Sequence, residues 1–241
     1  MPIDIPYASY DHWMFKDLYP ERRGDTVDIE APYFWSKTRQ QLVSNREKLT
    51  IEYLENNPYL KLIWESIERS GCNLNFSRHF SVEICEEGRG NEFAGTYDPN
   101  LNQVVICANN RQAHSFMVAN LFKNMLEMFD NCTKKIEYNN VEHLACIEIR
   151  KANLGGCNFQ AYLENIRKIG SFGLKNQQEN CVKASAIEEL EKVKFVPREK
   201  AEAAVEKVFD KCYKDLEPIG RRLQNKKEMD RAFAERYLFG Y

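Results

Sequence analysis

Apolar residues crowd most densely between Ala113 and Cys132, in the stretch AHSFMVANLFKNMLEMFDNC. Phe116, Met117, Val118, Leu121, Phe122, Met125, Leu126, Met128 and Phe129 are too many for a one-sided surface helix. The pattern therefore predicts a helix buried over most of its circumference. Its polar residues are ordered as well. Asn120, Lys123, Asn124, Glu127 and Asn131 stand at i, i+3, i+4, i+7 and i+11, drawing one polar stripe down the helix. Burying a charge is costly, so such a stripe is expected to face a cleft or another polar element.

On either side the periodicities alternate. Trp35 to Leu54 reads as a mostly polar helix and Tyr59 to Ser70 as a more apolar one stopped by Gly71. Arg78 to Cys85 and Gly95 to Tyr97 read as extended, and Asp98 to Asn102 as a turn. Gln103 to Cys107 is short and continuously apolar, which predicts an internal strand. Val141 to Asn153 predicts a second buried helix, closed by Gly155 and Gly156. Its stripe of Val141, Leu144, Ala145, Glu148 and Ala152 places a carboxylate on an apolar face, and that carboxylate needs a cation. Phe159 to Ile169 predicts a short helix ended by Gly170, and the charge run within Ile187 to Phe195 a solvated helix face. Pro197 opens a helix over Arg198 to Asp215 with Ala201, Ala204, Val205, Val208 and Cys212 inside. The last residues are basic and then aromatic, either a final helix on the domain or an arm for a partner. The first 34 residues mix seven Tyr, Trp and Phe with four Pro and show little periodicity. They read as an irregular arm, folded back on the domain or laid on a partner.

Bulk properties narrow the function. A chain of 241 residues with 43% hydrophobic content can bury a sizeable core. The reading is α+β and mostly helical, with a small sheet. It divides into an aromatic extension (1–40), a domain (41–220) and a tail (221–241). A formal charge of -2 gives no reason to expect nucleic acid, nor by itself an anionic membrane. No apolar run approaches the roughly 20 residues of a membrane-spanning helix, so a soluble or peripherally attached protein is expected.

A polar stripe with groups at i and i+4 and a third beside the first has the geometry of H-E-x-x-H, in which two histidines hold zinc and the glutamate activates water. Here positions 123 to 127 read Lys-Asn-Met-Leu-Glu, and none of the three chemical positions carries the required group. The surrounding residues nevertheless form a set: N-P-Y-x-K at 57–61, S-G-C at 70–72, R-H-F at 78–80, Q-V-V-I-C-A-N-N at 103–110, F-D-x-C at 129–132, H-L-A-C-x-E-x-R at 143–150 and A-N-L-x-G at 152–156. With Cys181 and the segment 205–220, this order resembles the mitochondrial inner-membrane metallopeptidase family that also serves in ATP synthase assembly. The resemblance covers roughly residues 45 to 220.

The resemblance implies a zincin-like metallopeptidase fold, with Gln103 to Cys107 beside the active-site helix and Glu148 as a third zinc ligand. The first two ligands are absent here. Lys123 and Glu127 stand where the histidines would, and Asn124 where the glutamate would. An ammonium has three donors and no lone pair, so it cannot ligate zinc but can satisfy carboxylates. The expectation is a remnant site of Lys123, Asn124, Glu127 and Glu148 with no catalytic residue and no zinc or other cofactor. The ammonium would then take over the position and part of the charge of the missing metal, leaving a Lys123–Glu127–Glu148 network. The other reading leaves Lys123 and Glu127 solvated in a shallow groove. His114 lies nine residues before Lys123, about 13 Å along the axis, too far to replace a ligand. His143 reads as a cap near its helix start, and His12 and His79 have no ligand-spaced neighbours.

Eight cysteines, Cys72, Cys85, Cys107, Cys132, Cys146, Cys157, Cys181 and Cys212, form an even set without the close pairs of a cysteine-built zinc site. The resemblance implies the intermembrane space, an oxidising setting, and hence disulfides. Up to four are possible, in connectivities the sequence leaves open. The family's C-x-x-C after R-H-F is reduced here to Val82 with Cys85. The implied function is a proteolytically inactive accessory subunit or assembly factor, peripheral to the inner membrane. Its partners would be protein subunits of the ATP synthase or of a respiratory-chain complex. The alternative is an active metalloendopeptidase with divergent ligands.

Overall fold

The computed structural model describes residues 33–85, 94–109, 114–157, 177–223 and 226–239. The expected N-terminal arm and the helix at 159–169 lie outside these residues. The elements run α1 (Tyr33–Asn56), α2 (Pro58–Arg69), a one-turn α3 (Phe76–His79), β1 (Phe80–Glu83), β2 (Gly95–Asp98), β3 (Gln103–Cys107) and α4 (His114–Thr133). There follow α5 (Val141–Lys151), a π-helical turn (Ala152–Gly156), α6 (Gln177–Lys192), α7 (Arg198–Lys214), α8 (Lys226–Ala234) and a 3-10 turn (Arg236–Phe239). This is a mostly helical α+β chain with a small sheet. It divides into two compact units within α4, between Met128 and Phe129.

In the first unit, local chemistry sets the boundaries. Asn57 caps α2 by accepting from the N–H groups of Tyr59 and Leu60, and Pro58 occupies the first helical position. Gly71, with φ +91, ends it as the sequence predicts. Extension begins two residues later than expected, because the N–H groups of Arg78 and His79 both reach back to the Asn75 carbonyl. The His79 Nδ1 accepts the Asn75 N–H at 2.9 Å, which makes this histidine a clasp for α3.

The sheet has the order β1-β3-β2, with β1 parallel and β2 antiparallel to the central β3. Val104, Val105, Ile106 and Cys107 are all buried, as an internal strand requires. The Cys85–Cys107 disulfide joins β1 to β3, and the Asn109 amide adds another rung by bonding both the N–H and the carbonyl of Cys85, at 3.0 and 2.8 Å. β2 begins at Gly95 for a steric reason. A Cβ there would overlap the Val105 carbonyl oxygen. Against this sheet unit, Phe122 of α4 stacks on Tyr59 of α2 with ring centroids 3.7 Å apart.

In the second unit α5, α6 and α7 enclose one core of Leu144, Ala145, Ile149, Val182, Ala186, Leu190, Ala201, Val205 and Phe209. Phe209 belongs to the inner face of α7, where the sequence pattern favours Val208, which is only half-buried. α6 begins ten residues before the charge run that announces it. All eight cysteines are disulfide-bonded, including Cys146 to Cys212 between α5 and α7, and Cys157 to Cys181 at the start of α6. Both Gly155 and Gly156 fall within the π turn, so α5 does not stop at them but widens. There the Cys157 N–H reaches the Ala152 carbonyl five residues back.

An ion cluster lies deep in this unit. Arg150 is 1% exposed and grips Asp130 bidentately, Nε to Oδ2 at 2.8 Å and Nη2 to Oδ1 at 2.9 Å. Its remaining N–H groups meet the Asp215 carboxylate, the Asp215 carbonyl at 3.1 Å and the Glu217 carbonyl at 2.6 Å. Lys134 bridges Asp130 and Asp215 at 3.3 and 2.7 Å. Burial pushes the Asp215 carboxyl up, but the Lys134 hydrogen bond, Arg150 and the Glu217 N–H bring it below its ordinary 3.8.

Three outcomes follow. Arg150→Met removes the bidentate partner of buried Asp130, leaving it only Lys134, and is expected to cost about 3 to 5 kcal/mol in urea unfolding, with the Asp130→Leu, Arg150→Met double variant less destabilised than the sum. Because the Asp215 carboxyl is lowered, its contribution is fully present above the ordinary carboxylate range and lost as pH falls through the lowered value. The stability gap between wild type and Asp215→Asn should therefore be flat near neutrality and close only below pH 3.8 in acid titration. Cys146→Ser with Cys212→Ser opens a cross-link of sequence separation 66 and should lower stability by about 4 kcal/mol in the same assay.

Candidate functional site

α4 owes its position to the apolar residues that surround it. Met117, Leu121, Phe122, Met125, Leu126, Met128 and Phe129 are all buried, so the helix is enclosed on most sides as the pattern predicts. Its polar stripe is drawn inward with them. Asn124 is 3% exposed and Glu127 is 0% exposed, while Asn120 and Lys123 are half-buried. The reading in which Glu127 is solvated in an open groove is thus excluded. Burial of a carboxylate to this depth demands compensation, and the i, i+4 spacing puts Lys123 on the same face.

The two asparagines are occupied by the fold. Asn124 donates from Nδ2 to the Asn120 Oδ1 at 2.9 Å, and Asn120 donates from its own Nδ2 to the Gly95 carbonyl at 3.3 Å. The chain of amides runs from the middle of α4 to the first residue of β2. It fixes the register of helix on strand at the place where the resemblance puts catalysis.

Glu148 sits on α5, buried among apolar neighbours as the stripe predicts. It finds a cation within its own helix: the Lys151 ammonium lies 3.1 Å from Oε1. The sequence assigns Lys123 to this carboxylate, whereas the cation in contact is Lys151, whose i, i+3 spacing is the local signal for it. Asn153 is another residue to which the sequence pattern assigns no role. It is buried in the π turn, donates to the Tyr213 carbonyl at 2.8 Å and accepts from Arg222 at 3.0 Å. Asp130 and Arg150 are a third case, present in the motifs yet assigned no role by them. His143 behaves as expected, its Nδ1 accepting the Glu137 N–H at 3.1 Å just before α5. His114 opens α4, and His12 lies outside the described residues.

Zinc, the metal that the resemblance implies, needs lone pairs from two side chains one helical turn apart and a base beside the first. Lys123 offers an ammonium, Asn124 an amide whose donor is already directed at Asn120, and Glu127 alone a ligand. This donor set does not fit a catalytic zinc. Among the described residues, no three His, Cys, Asp or Glu side chains cluster so as to hold a metal. None of the described helices is long and apolar enough to cross a membrane.

Comparison with known proteins bears on the rest of the chain. It is similar to the mitochondrial inner membrane protease ATP23 homolog of Homo sapiens, 36% identical over 87% of this chain and 81% of that protein. The proteins of the same description from Danio rerio (34%, covering 91% and 82%) and Xenopus laevis (35%, covering 76% and 75%) are also similar. No solved structure matches. The Peptidase M76 family model spans residues 44–220, from within α1 to past α7, and so takes in the sheet, the buried stripe of α4 and all eight cysteines. By the extent of that match and the identity to these relatives, the chain belongs to the peptidase M76 family.

Proposed function

We propose that this member of the family has given up hydrolysis and acts as an accessory subunit or assembly factor of a mitochondrial inner-membrane complex. The observation that carries the reading is the donor set on α4: an ammonium at 123, an amide engaged by Asn120 at 124, and one fully buried carboxylate at 127. On this reading the helix and sheet are those of a zincin-like peptidase in which zinc has been given up. Lys123 supplies positive charge beside Glu127 where relatives would hold the ion. Asn124 has no basic lone pair with which to take a proton from water.

Retention of the fold without its chemistry supports a role in binding. The ATP synthase is the first candidate complex through the family resemblance, and a respiratory-chain complex the second. The names of the relatives support a place at the mitochondrial inner membrane, and the absence of a spanning helix among the described residues agrees with peripheral attachment. Four disulfides support the oxidising intermembrane space.

Metal analysis of protein purified in the presence of zinc tests this directly. Zinc should be far below one ion per chain, casein should stay uncleaved, and a chelator should leave the melting temperature unchanged. Stoichiometric zinc whose removal abolishes cleavage would instead establish an active metalloendopeptidase with divergent ligands.

A further inference from the structure

The π turn that follows α5 is held at both ends by groups outside it. Its Asn153 donates to the Tyr213 carbonyl at 2.8 Å and accepts from Arg222 at 3.0 Å and from Gln178 of α6 at 3.4 Å. The turn closes on Cys157, whose N–H reaches the Ala152 carbonyl at 2.6 Å and whose sulfur is bonded to Cys181 of α6. Pairing over five residues is rare and confined to single turns. In the α-helical register that N–H would go instead to the Asn153 carbonyl, four residues back.

The disulfides of Cys85 with Cys107, Cys146 with Cys212 and Cys157 with Cys181 are not equally open to a thiol. Cys85 and Cys107 are 1% and 0% exposed, so their bond is sealed. Each of the other two has one half-buried member, Cys146 or Cys181, through which a thiolate can approach. Position along the helix separates these two. Cys181 is the fifth residue of α6, and its side chain leans toward the N-terminal end, whose N–H groups favour a thiolate. Cys212 stands third from the end of α7, among carbonyls that disfavour one, and Cys146 lies in the middle of α5. Reduction of Cys157 with Cys181 therefore gives the better stabilised dithiol.

We propose that the Cys157–Cys181 disulfide is a redox switch on the π turn, opened by a dithiol before the Cys85–Cys107 and Cys146–Cys212 bonds. A thiolate of the reductant attacks the Cys181 sulfur, the S–S bond breaks, and Cys157 leaves as a thiolate that takes up a proton. The second thiol of the reductant, losing its proton, attacks its neighbour's sulfur in the mixed disulfide. Cys181 is released and protonated, and the reductant closes into a cyclic disulfide. The protein's bond gains two electrons and two protons, and the dithiol gives up both. Once it is open, the covalent tie between the turn and the start of α6 is gone, and the Cys157 N–H moves to the α-helical register. The core beneath stays closed, because the Cys146–Cys212 bond and the grip of Arg150 on Asp130 are untouched. This holds whether or not hydrolysis has been given up.

Equilibration of the full oxidised chain with graded ratios of reduced to oxidised dithiothreitol, then acid quench, alkylation and mass spectrometry, tests the order of opening. Cys157 and Cys181 should become alkylated at a ratio about tenfold below that needed for Cys85, Cys107, Cys146 and Cys212. At that ratio hydrogen exchange should quicken over 152–157 and 177–184 and stay unchanged over α7. Cys157→Ser with Cys181→Ser should show the quickened exchange without reductant and change no further when the same ratio is applied. Opening of either other pair first, or of all three together, would overturn the switch. Early opening of Cys157 and Cys181 with exchange unchanged would overturn it too, leaving the bond a passive cross-link. The wild-type titration decides the matter even if the double variant does not fold.

Discussion

A guanidinium cannot be buried unless all of its N–H groups are met, and the second unit of this protein is arranged to meet those of Arg150. Its five donors go to the Asp130 carboxylate twice, to the Asp215 carboxylate and carbonyl, and to the Glu217 carbonyl. Three stretches distant in sequence must therefore converge: the end of α4, the end of α5 and the loop that follows α7. Lys134 supplies a second positive charge, without which two carboxylates would share one cation. The motifs F-D-x-C and H-L-A-C-x-E-x-R thus encode two halves of one ion cluster, and their cysteines lie on the same two helices. Removal of either half leaves a charge with no route to water, which is why such a cluster constrains a fold more sharply than an apolar contact of similar size.

The first unit solves the same problem with neutral groups. The Asn109 amide imitates a strand residue against Cys85, and Asn120 imitates one against Gly95. Each lets a short strand keep its hydrogen bonds where regular pairing runs out. This has a chemical consequence on α4. Asn120 and Asn124 are engaged with each other and with β2, so the polar stripe is largely consumed in holding helix against sheet. Only Lys123 and Glu127 remain to carry charge there, and Glu127 is sealed from solvent.

The second unit is cross-linked through its own side chains. Two disulfides and the ion cluster around Arg150 tie α5 to α7, to the start of α6 and to the end of α4. α8 and its terminal turn contribute no residue to the core formed by α5, α6 and α7.

What the sequence determined by itself is what depends on neighbours in the chain. The buried helix at 114–133, the internal strand VVIC, the stop at Gly71 and the His143 hydrogen bond near the start of α5 are all set by periodicity, backbone freedom or a partner a few residues away. The chemistry open to Lys123, Asn124 and Glu127 is equally plain, because a side chain's lone pairs do not depend on its fold. Tertiary structure alone decided the rest. Arg150 could have been a surface arginine and Asn153 a turn residue, for nothing local distinguishes a charge that will be buried from one that will not. Their partners Asp215, Tyr213 and Arg222 lie 60 to 69 residues away in sequence, and only packing of α5 against α7 brings them within hydrogen-bonding distance.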